Sequence, residues 1–368
     1  MVSEPATHPA VERPSSDEEV AGVLREASAS GAAVIPMGGG RAQGMGGAPE
    51  RCDVELHLAR LDRVLEHSQA DMVVSVEAGI TLENLQDELA KAGQFLPLDP
   101  FNSPGHTIGG LIATGWTGPL RLRYGSARDF LIGIRVALPS GRIASAGGRV
   151  VKNVSGYDLM KLHHGALGTL GVIVAASFKV FPKPMRDLTV ELPAQPLEDA
   201  WAAAARALNL PLAPAALEMW SDGRVLARFL GSPDAVNRMT SELDWKPTDG
   251  TQWAAHSRRC PERWARITAP PHRLRQIVGM LPQSADWWAS PGTGIAHWAF
   301  EGDGAALVVT VRAAAEASGG ALVLMAAPRP LAEEIGPWGT TPSTIELMRK
   351  LKSAFDPKDI LNPGRFVY

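Results

Sequence analysis

Pro104-Gly105-His106-Thr107-Ile108-Gly109-Gly110-Leu111-Ile112-Ala113-Thr114 is the stretch whose reading decides the fold. Its glycines permit positive φ and let backbone N–H groups approach a phosphate closely, so consecutive glycines can form an anion-binding nest. Two further segments have the same character: Pro36-Met37-Gly38-Gly39-Gly40-Arg41 upstream, and Gly165-Ala166-Leu167-Gly168-Thr169-Leu170-Gly171 downstream. Any one of the three, taken singly, reads equally well as a tight turn. Two nucleotide motifs fail. A Rossmann fingerprint would need a third glycine where Gln43 stands, and a P-loop would need lysine where Met45 follows Gly44.

Alternating elements surround these loops. Ser16 and Glu19 have capping-box spacing, and Val20, Val23, Leu24 and Ala27 follow at helical spacing. Residues 33–35 read as a short strand entering the first glycine loop, 72–76 as another strand, and 81–91 as a helix. Residues 134–138 and 142–146 flank Pro139-Ser140-Gly141, the turn residues of a hairpin, and 172–180 reads as a buried strand. The alanine-rich 202–207 is explained by a packed helix. An α+β first domain is therefore expected. Phe181-Pro182-Lys183-Pro184 ends an apolar run and cannot continue a central strand, which places a boundary there. Glycine thins out beyond it, and every tryptophan except Trp116 lies after residue 200. The proline-rich 211–214 reads as a loop.

The chain has 368 residues, 45% of them hydrophobic and 20% charged, enough for two packed domains. A formal net charge of -3 gives no electrostatic reason to expect nucleic acid or an anionic membrane as partner. Cys52 and Cys260 are the sole cysteines, too few for an iron–sulfur cluster or a disulfide framework, and a reducing cytoplasm is expected. Residues 1–14 are largely polar, with neither a basic segment nor the apolar run of a secretory signal.

Taken in order, the three glycine segments resemble the vanillyl-alcohol-oxidase superfamily, whose FAD domain is also called PCMH-type. Gly38, Gly39, Gly40 and Arg41 resemble its first pyrophosphate loop, and Gly105, Thr107, Ile108, Gly109, Gly110, Ala113 and Thr114 its second, most distinctive loop. Tyr124-Gly125-Ser126-Ala127-Arg128-Asp129 resembles the segment that follows. Lys152-Asn153-Val154-Ser155-Gly156-Tyr157-Asp158-Leu159 then leads into Gly168, Gly171, Val172 and Ile173, which in such proteins lie along the FAD. The tail from Phe355 to Arg365 resembles the ending of D-lactate dehydrogenase-like and glycolate oxidase-like members, with Asn362 near the flavin. Alone, that tail reads as a helix stop and a proline-restricted turn.

The resemblance implies two α+β subdomains gripping FAD over residues 1–184, a second α+β cap domain over 185–345, and a segment 346–368 returning to the first domain. Some relatives tether FAD through a histidine in the first loop. Here that loop has none, so noncovalent FAD is expected, although His106, His163 and His164 lie near the other loops. His163-His164 reads as a surface or core pair, and no metal site is expected.

The histidine pairs and Glu-His-Gly-type motif of related catalytic subunits are missing. His297 followed by Glu301-Gly302-Asp303-Gly304 is the nearest fragment, and it reads as a hairpin turn between 295–300 and 305–311. This combination is similar to the E-subunit family of glycolate oxidase. The likeness implies oxidation of glycolate to glyoxylate beside a larger FAD subunit and an iron–sulfur subunit, with any membrane reached through those partners. A self-sufficient FAD oxidase of another hydroxy acid or alcohol, and a structural or electron-relay flavin subunit, are the competing readings. A 2-hydroxy acid needs a cation for its carboxylate and a base for its hydroxyl proton. Arg224, Arg228, Arg258 and Arg259 are candidates by type, though solvated surface charge explains each, and core packing or an interface explains Trp287, Trp288 and Trp298. No catalytic residue is assigned.

Overall fold

The computed structural model describes residues 8–148, 158–302 and 304–367. The segment 152–157 lies outside them.

The first helix, Asp17–Ser30, starts where expected. Ser16 Oγ accepts from the Glu19 N–H at 3.2 Å, but the Glu19 carboxylate reaches back to the N–H of Ser15 rather than Ser16. Val20, Leu24 and Ala27 bury its apolar stripe. Val34–Met37 joins a small parallel sheet in the order Ala10–Glu12, Val54–His57, Val34–Met37. A second, antiparallel sheet runs Val64–Ser68, Val73–Glu77, Val172–Lys179, Leu131–Ala137, Ile143–Gly147. Its last two strands form the hairpin read from the sequence. The helices Leu82–Ala90 and Ile108–Thr114, each capped by a threonine hydroxyl, pack beside this sheet. These are the two subdomains, and the second glycine loop enters the second of them.

Phe181–Pro182 still pairs with Gln94–Phe95 of the first domain, and Arg186–Leu192 opens the next. That domain is an eight-stranded antiparallel sheet in the order Lys246–Thr248, Arg186–Leu192, Val225–Gly231, Ala216–Trp220, Asp286–Ser290, Ile295–Ala299, Trp264–Thr268, Ala321–Ala326. Helices Leu197–Leu208, Pro233–Ser241, Pro271–Val278 and Ala305–Ala317 cover one face. The other face meets the first domain, where Trp264 and Trp288 share a cluster with Phe101 and Trp116.

One expectation is overturned here. Residues 305–311 do not form the second arm of a hairpin; they begin the helix Ala305–Ala317. Its buried positions Val308, Val311, Arg312 and Ala315 recur at helical spacing, and that period prevails over the strand preference of its valines. The chain then returns to the first domain. After the helix Ile345–Phe355, Leu361 bridges to Val34, and the Asn362 N–H donates to the Val34 carbonyl.

Candidate functional site

A narrow cleft of about 70 Å³ runs between the two subdomains of the first domain. Gly38, Gly39, Gly40 and Arg41 form one wall, Thr107, Gly110, Ala113 and Thr114 another, and Leu167 and Asn362 close it. Segments far apart in the chain thus meet at one cleft. Among the described residues, the N–H groups of Gly38, Gly39, Gly40 and Arg41 donate to no protein acceptor. Strand Val34–Met37 has ended and no helix follows, so a run of free donors is left beside the cleft. Gly40 adopts φ +69° with nothing within 4 Å of where a side chain would begin.

The electrostatics suit an anion. No carboxylate lines the cleft among the described residues, whereas Arg41 and Arg365 do. Arg365 is buried, which lowers its pKa to about 10, and its guanidinium donates to the carbonyls of Ala42 and Gln43. It thereby holds the first loop while adding positive field. His106 also lines the cleft; burial pushes its pKa down, and its ring Nε2 lies 2.7 Å from the Phe101 carbonyl. A neutral ring donating through Nε2 fits both facts.

The other glycine-segment residues support rather than line the cleft. Gly105, at φ +100°, packs against the Arg41 side chain. Ile108 is fully buried and donates its N–H to Ile80, and the Gly109 N–H donates to Ala78 at 2.7 Å. A side chain on Gly39 would strike the Gly105 carbonyl, and one on Gly109 would press on Ala78. Both therefore serve loop-on-loop and helix-on-strand packing. Val172 and Ile173 are buried in the strand, in two different apolar clusters, and Gly171 fits under Val136. Gly168, at φ +69°, lies beside Asn362.

Asn362 itself has φ +44°, a conformation asparagine tolerates better than most residues. Its Nδ2 donates to the Leu167 carbonyl at 2.7 Å, which leaves Oδ1 buried with no partner on the cleft wall. Free backbone donors, two arginines, an orphaned carboxamide oxygen and a glycine opening onto space fit an elongated dianion such as FAD. Arg365 was not singled out from the sequence, although it sits three residues after Asn362 in the same Pro-Gly turn.

The remaining candidates lie elsewhere. Arg228 pairs with Asp187 at 2.6 Å, Arg224 stacks over Trp220, and Arg259 stacks over Trp288 while bonding Asp286. Trp287 and Trp298 pack under the helices, but Trp288 faces the first domain. His163 is a core residue whose pKa burial lowers to about 4. Cys52 and Cys260 are free and exposed, and no metal-binding group occurs among the described residues. A larger cavity, of about 660 Å³, shares no lining residue with the cleft; Glu83, Asp87, Asp99 and Asp249 line it together with the Asp187–Arg228 pair.

Comparison with known proteins agrees with this geometry. Residues 9–147 match the FAD binding domain family, and residues 334–366 match the C-terminal domain of FAD linked oxidases. The chain is thus similar to FAD-linked oxidases in both its FAD-binding part and its C-terminal segment. It is 29% identical to the glycolate oxidase subunit GlcE of Escherichia coli, over 82% of this chain and 84% of that one. It is 33% identical to a D-lactate dehydrogenase of Anaerostipes hadrus, over 59% of this chain, and spans only 46% of the length of that relative. In structure it resembles alkyldihydroxyacetonephosphate synthase, with a TM-score of 0.70 and 18% identity, over 97% of this chain and 77% of that chain. That likeness concerns the fold.

Proposed function

We propose that this chain is the FAD-binding subunit of a complex that oxidises glycolate, a 2-hydroxy acid, to glyoxylate. The observation that carries the reading is length: the similarity to GlcE runs through most of both chains, whereas the D-lactate dehydrogenase extends well beyond the matched part. FAD is held without a covalent bond, by Gly38 to Arg41 on its phosphates and by Asn362 from the other wall. Gly105, Ile108, Gly109, Gly168, Gly171, Val172 and Ile173 set the spacing of those walls, while Thr107, Gly110, Ala113 and Thr114 present the second loop. When bound, FAD supplies a two-electron acceptor for the carbinol C–H of the substrate.

The electrons then leave through an iron–sulfur subunit, beside a larger FAD subunit. Two exposed cysteines far apart in the chain supply half of a four-thiolate ligand set, so the cluster must come from a partner. Among the described residues no helix is long and apolar enough to cross a membrane, and any membrane contact is through these partners.

An absorbance spectrum of the purified chain before and after acid precipitation, followed by anaerobic glycolate, tests the reading. A yellow supernatant and bleaching by glycolate are expected once the partners are present. Flavin that stays with the pellet would refute the noncovalent assignment, and an assembled complex unreactive to glycolate would refute the substrate. Bleaching of the isolated chain by another hydroxy acid would favour a self-sufficient enzyme instead.

A further inference from the structure

Side-chain donors hold the successive carbonyls of Arg41, Ala42 and Gln43 in the first glycine loop. Arg365 Nη2 donates to Ala42 and Gln43, at 3.1 and 2.7 Å, and Asn102 Nδ2 donates to Arg41 at 2.8 Å. A carbonyl oxygen carries partial negative charge, so one that swung toward a bound phosphate would oppose binding. Occupied by a donor, it stays where it is. The pinned carbonyls leave the polarity of the loop to the N–H groups of Gly38 to Arg41, which are free among the described residues.

Asn102 belongs to a short strap, residues 102–105, that is tied to both domains. On the cap side the Asn102 N–H donates to the Arg259 carbonyl at 3.2 Å, and the Ser103 N–H donates to the Ser257 carbonyl at 3.0 Å. On the other side Glu83, in the first turn of helix Leu82–Ala90, accepts from Ser103 Oγ at 3.0 Å and from the Gly105 N–H at 3.3 Å. Gly105 lies against the Arg41 guanidinium, and its carbonyl is the atom that a side chain on Gly39 would strike. Asn102 adopts φ +57°, in the left-handed region that asparagine tolerates better than most residues. In that conformation its backbone reaches the cap while its side chain reaches the first loop.

The cap end of this path is itself anchored. Arg259 follows helix Thr251–Ser257, and its N–H donates to the His256 carbonyl at 3.1 Å. Its guanidinium stacks over Trp288 at 4.3 Å and bonds Asp286, both on the strand Asp286–Ser290. A continuous line of contacts therefore runs from the cap sheet through Arg259 and Asn102 to Arg41 on the cleft wall. Arg123 also joins the two domains, through the Leu230 carbonyl, but neither of those residues belongs to a glycine loop.

We propose that Asn102 is a positioning residue for FAD, which fixes the first phosphate loop and makes its geometry depend on the seating of the cap segment 257–259. Cofactor binding and cap contact are then coupled. Coupling of this kind is reciprocal, so FAD tightens the strap on the cap by the same factor by which the cap contact tightens FAD. The inference concerns the cofactor alone and does not depend on which acid the protein oxidises. Asn102 acts through the Arg41 peptide and touches no reacting atom.

Fluorescence titration of the apoprotein with FAD, and amide hydrogen exchange at Asn102 and Ser103 with and without FAD, test the proposal. Asn102→Gly keeps the N–H that meets Arg259 and relieves the left-handed φ, but removes the Nδ2 donor. It should bind FAD about tenfold more weakly, the factor that the loss of one hydrogen bond gives. Asn102→Asp, which sets a carboxylate against the Arg41 carbonyl, should lose more, and it decides if the glycine variant does not fold. In the wild type, exchange at residues 102 and 103 should slow when FAD binds; in Asn102→Gly it should not respond. Arg259→Ala, which frees the cap end, should weaken FAD binding in the wild type and add nothing in Asn102→Gly, whereas Arg123→Ala should act independently of Asn102. Wild-type FAD affinity in the Asn102 variants overturns the proposal. So do additive effects of Asn102→Gly and Arg259→Ala, and so does wild-type exchange at residues 102 and 103 that ignores FAD. If Arg259→Ala does not fold, the exchange measurement decides the coupling alone.

Discussion

Lys352 and Asp356 form a buried ion pair one helical turn apart, at 2.7 Å, and together they hold the tail that carries Asn362. Lys352 Nζ also donates to the carbonyls of Thr169 and Leu361, and the Asp356 carboxylate accepts from the N–H groups of Ile360 and Leu361. The third glycine segment, the last helix and the tail are thereby fixed to one another. Removing Asp356 leaves Lys352 paired with the exposed Asp359, at 2.9 Å, and strands the buried N–H groups of Ile360 and Leu361, together a cost of about 3–5 kcal/mol. Asp356→Ala should therefore lower the unfolding free energy by roughly that amount and reduce FAD retention. The double variant Lys352→Met/Asp356→Leu should recover part of the stability without recovering FAD. Urea unfolding with flavin quantification checks both, and an additive double variant would refute the coupling.

The first-loop glycines separate two causes of flavin loss. Gly39→Ala forces a methyl group into the Gly105 carbonyl, so the two loops must part. Gly40→Ala meets nothing within 4 Å, and its cost is the left-handed φ of +69°, about 1–2 kcal/mol. Purified Gly39→Ala should be colourless, while Gly40→Ala should keep FAD with weakened affinity. Equal flavin content in the two variants would mean that packing between the loops does not govern binding.

How much of this was legible beforehand depends on the range of the interaction. The glycines of the second loop announce their turns locally, because positive φ and close backbone approach belong to single residues. Helix Asp17–Ser30 was equally plain, since its cap and its apolar stripe agree. Residues 305–311 were not: Val308, Val309 and Val311 suit a strand, and the burial of Val308, Val311 and Ala315 against the sheet selects the helix. Asn102 gave no signal of its own, because it acts between domains, on Arg259, and no local pattern shows that. Arg365 likewise acts across the whole chain, on Ala42 and Gln43.

Asn362 has two jobs that substitutions can divide. Asn362→Gly relieves the φ of +44° but removes both the donor to Leu167 and the free Oδ1. Asn362→Asp keeps an oxygen at the cleft and sets a carboxylate against the Leu167 carbonyl and near bound phosphates. FAD affinity should fall about tenfold in the glycine variant, the worth of one hydrogen bond of about 1.4 kcal/mol. The aspartate variant should lose more, with the loss lessened by raising salt. Fluorescence titration of the apoprotein with FAD measures both, and unchanged affinity in the glycine variant would remove Asn362 from the binding set.

Asp99 gives the protein a pH dependence opposite in sign to that of a salt-bridged carboxylate. Burial raises its pKa from 3.8 to about 8, outweighing the N–H of Leu120 that it accepts and the field of Arg228. Below pH 4 the carboxyl is protonated in folded and unfolded chains alike and costs nothing. Between about pH 4 and pH 8 the unfolded chain releases this proton while the folded chain keeps it, so the folded state binds more protons and its stability falls as pH rises. Above pH 8 both forms are ionised and the loss levels off. Asp99→Asn keeps an acceptor for Leu120 without the ionisation. Relative to wild type, its melting temperature should rise progressively from pH 5 to pH 8, with the gap constant beyond. A gap that stays flat over that range would show that the folded protein carries Asp99 as a carboxylate.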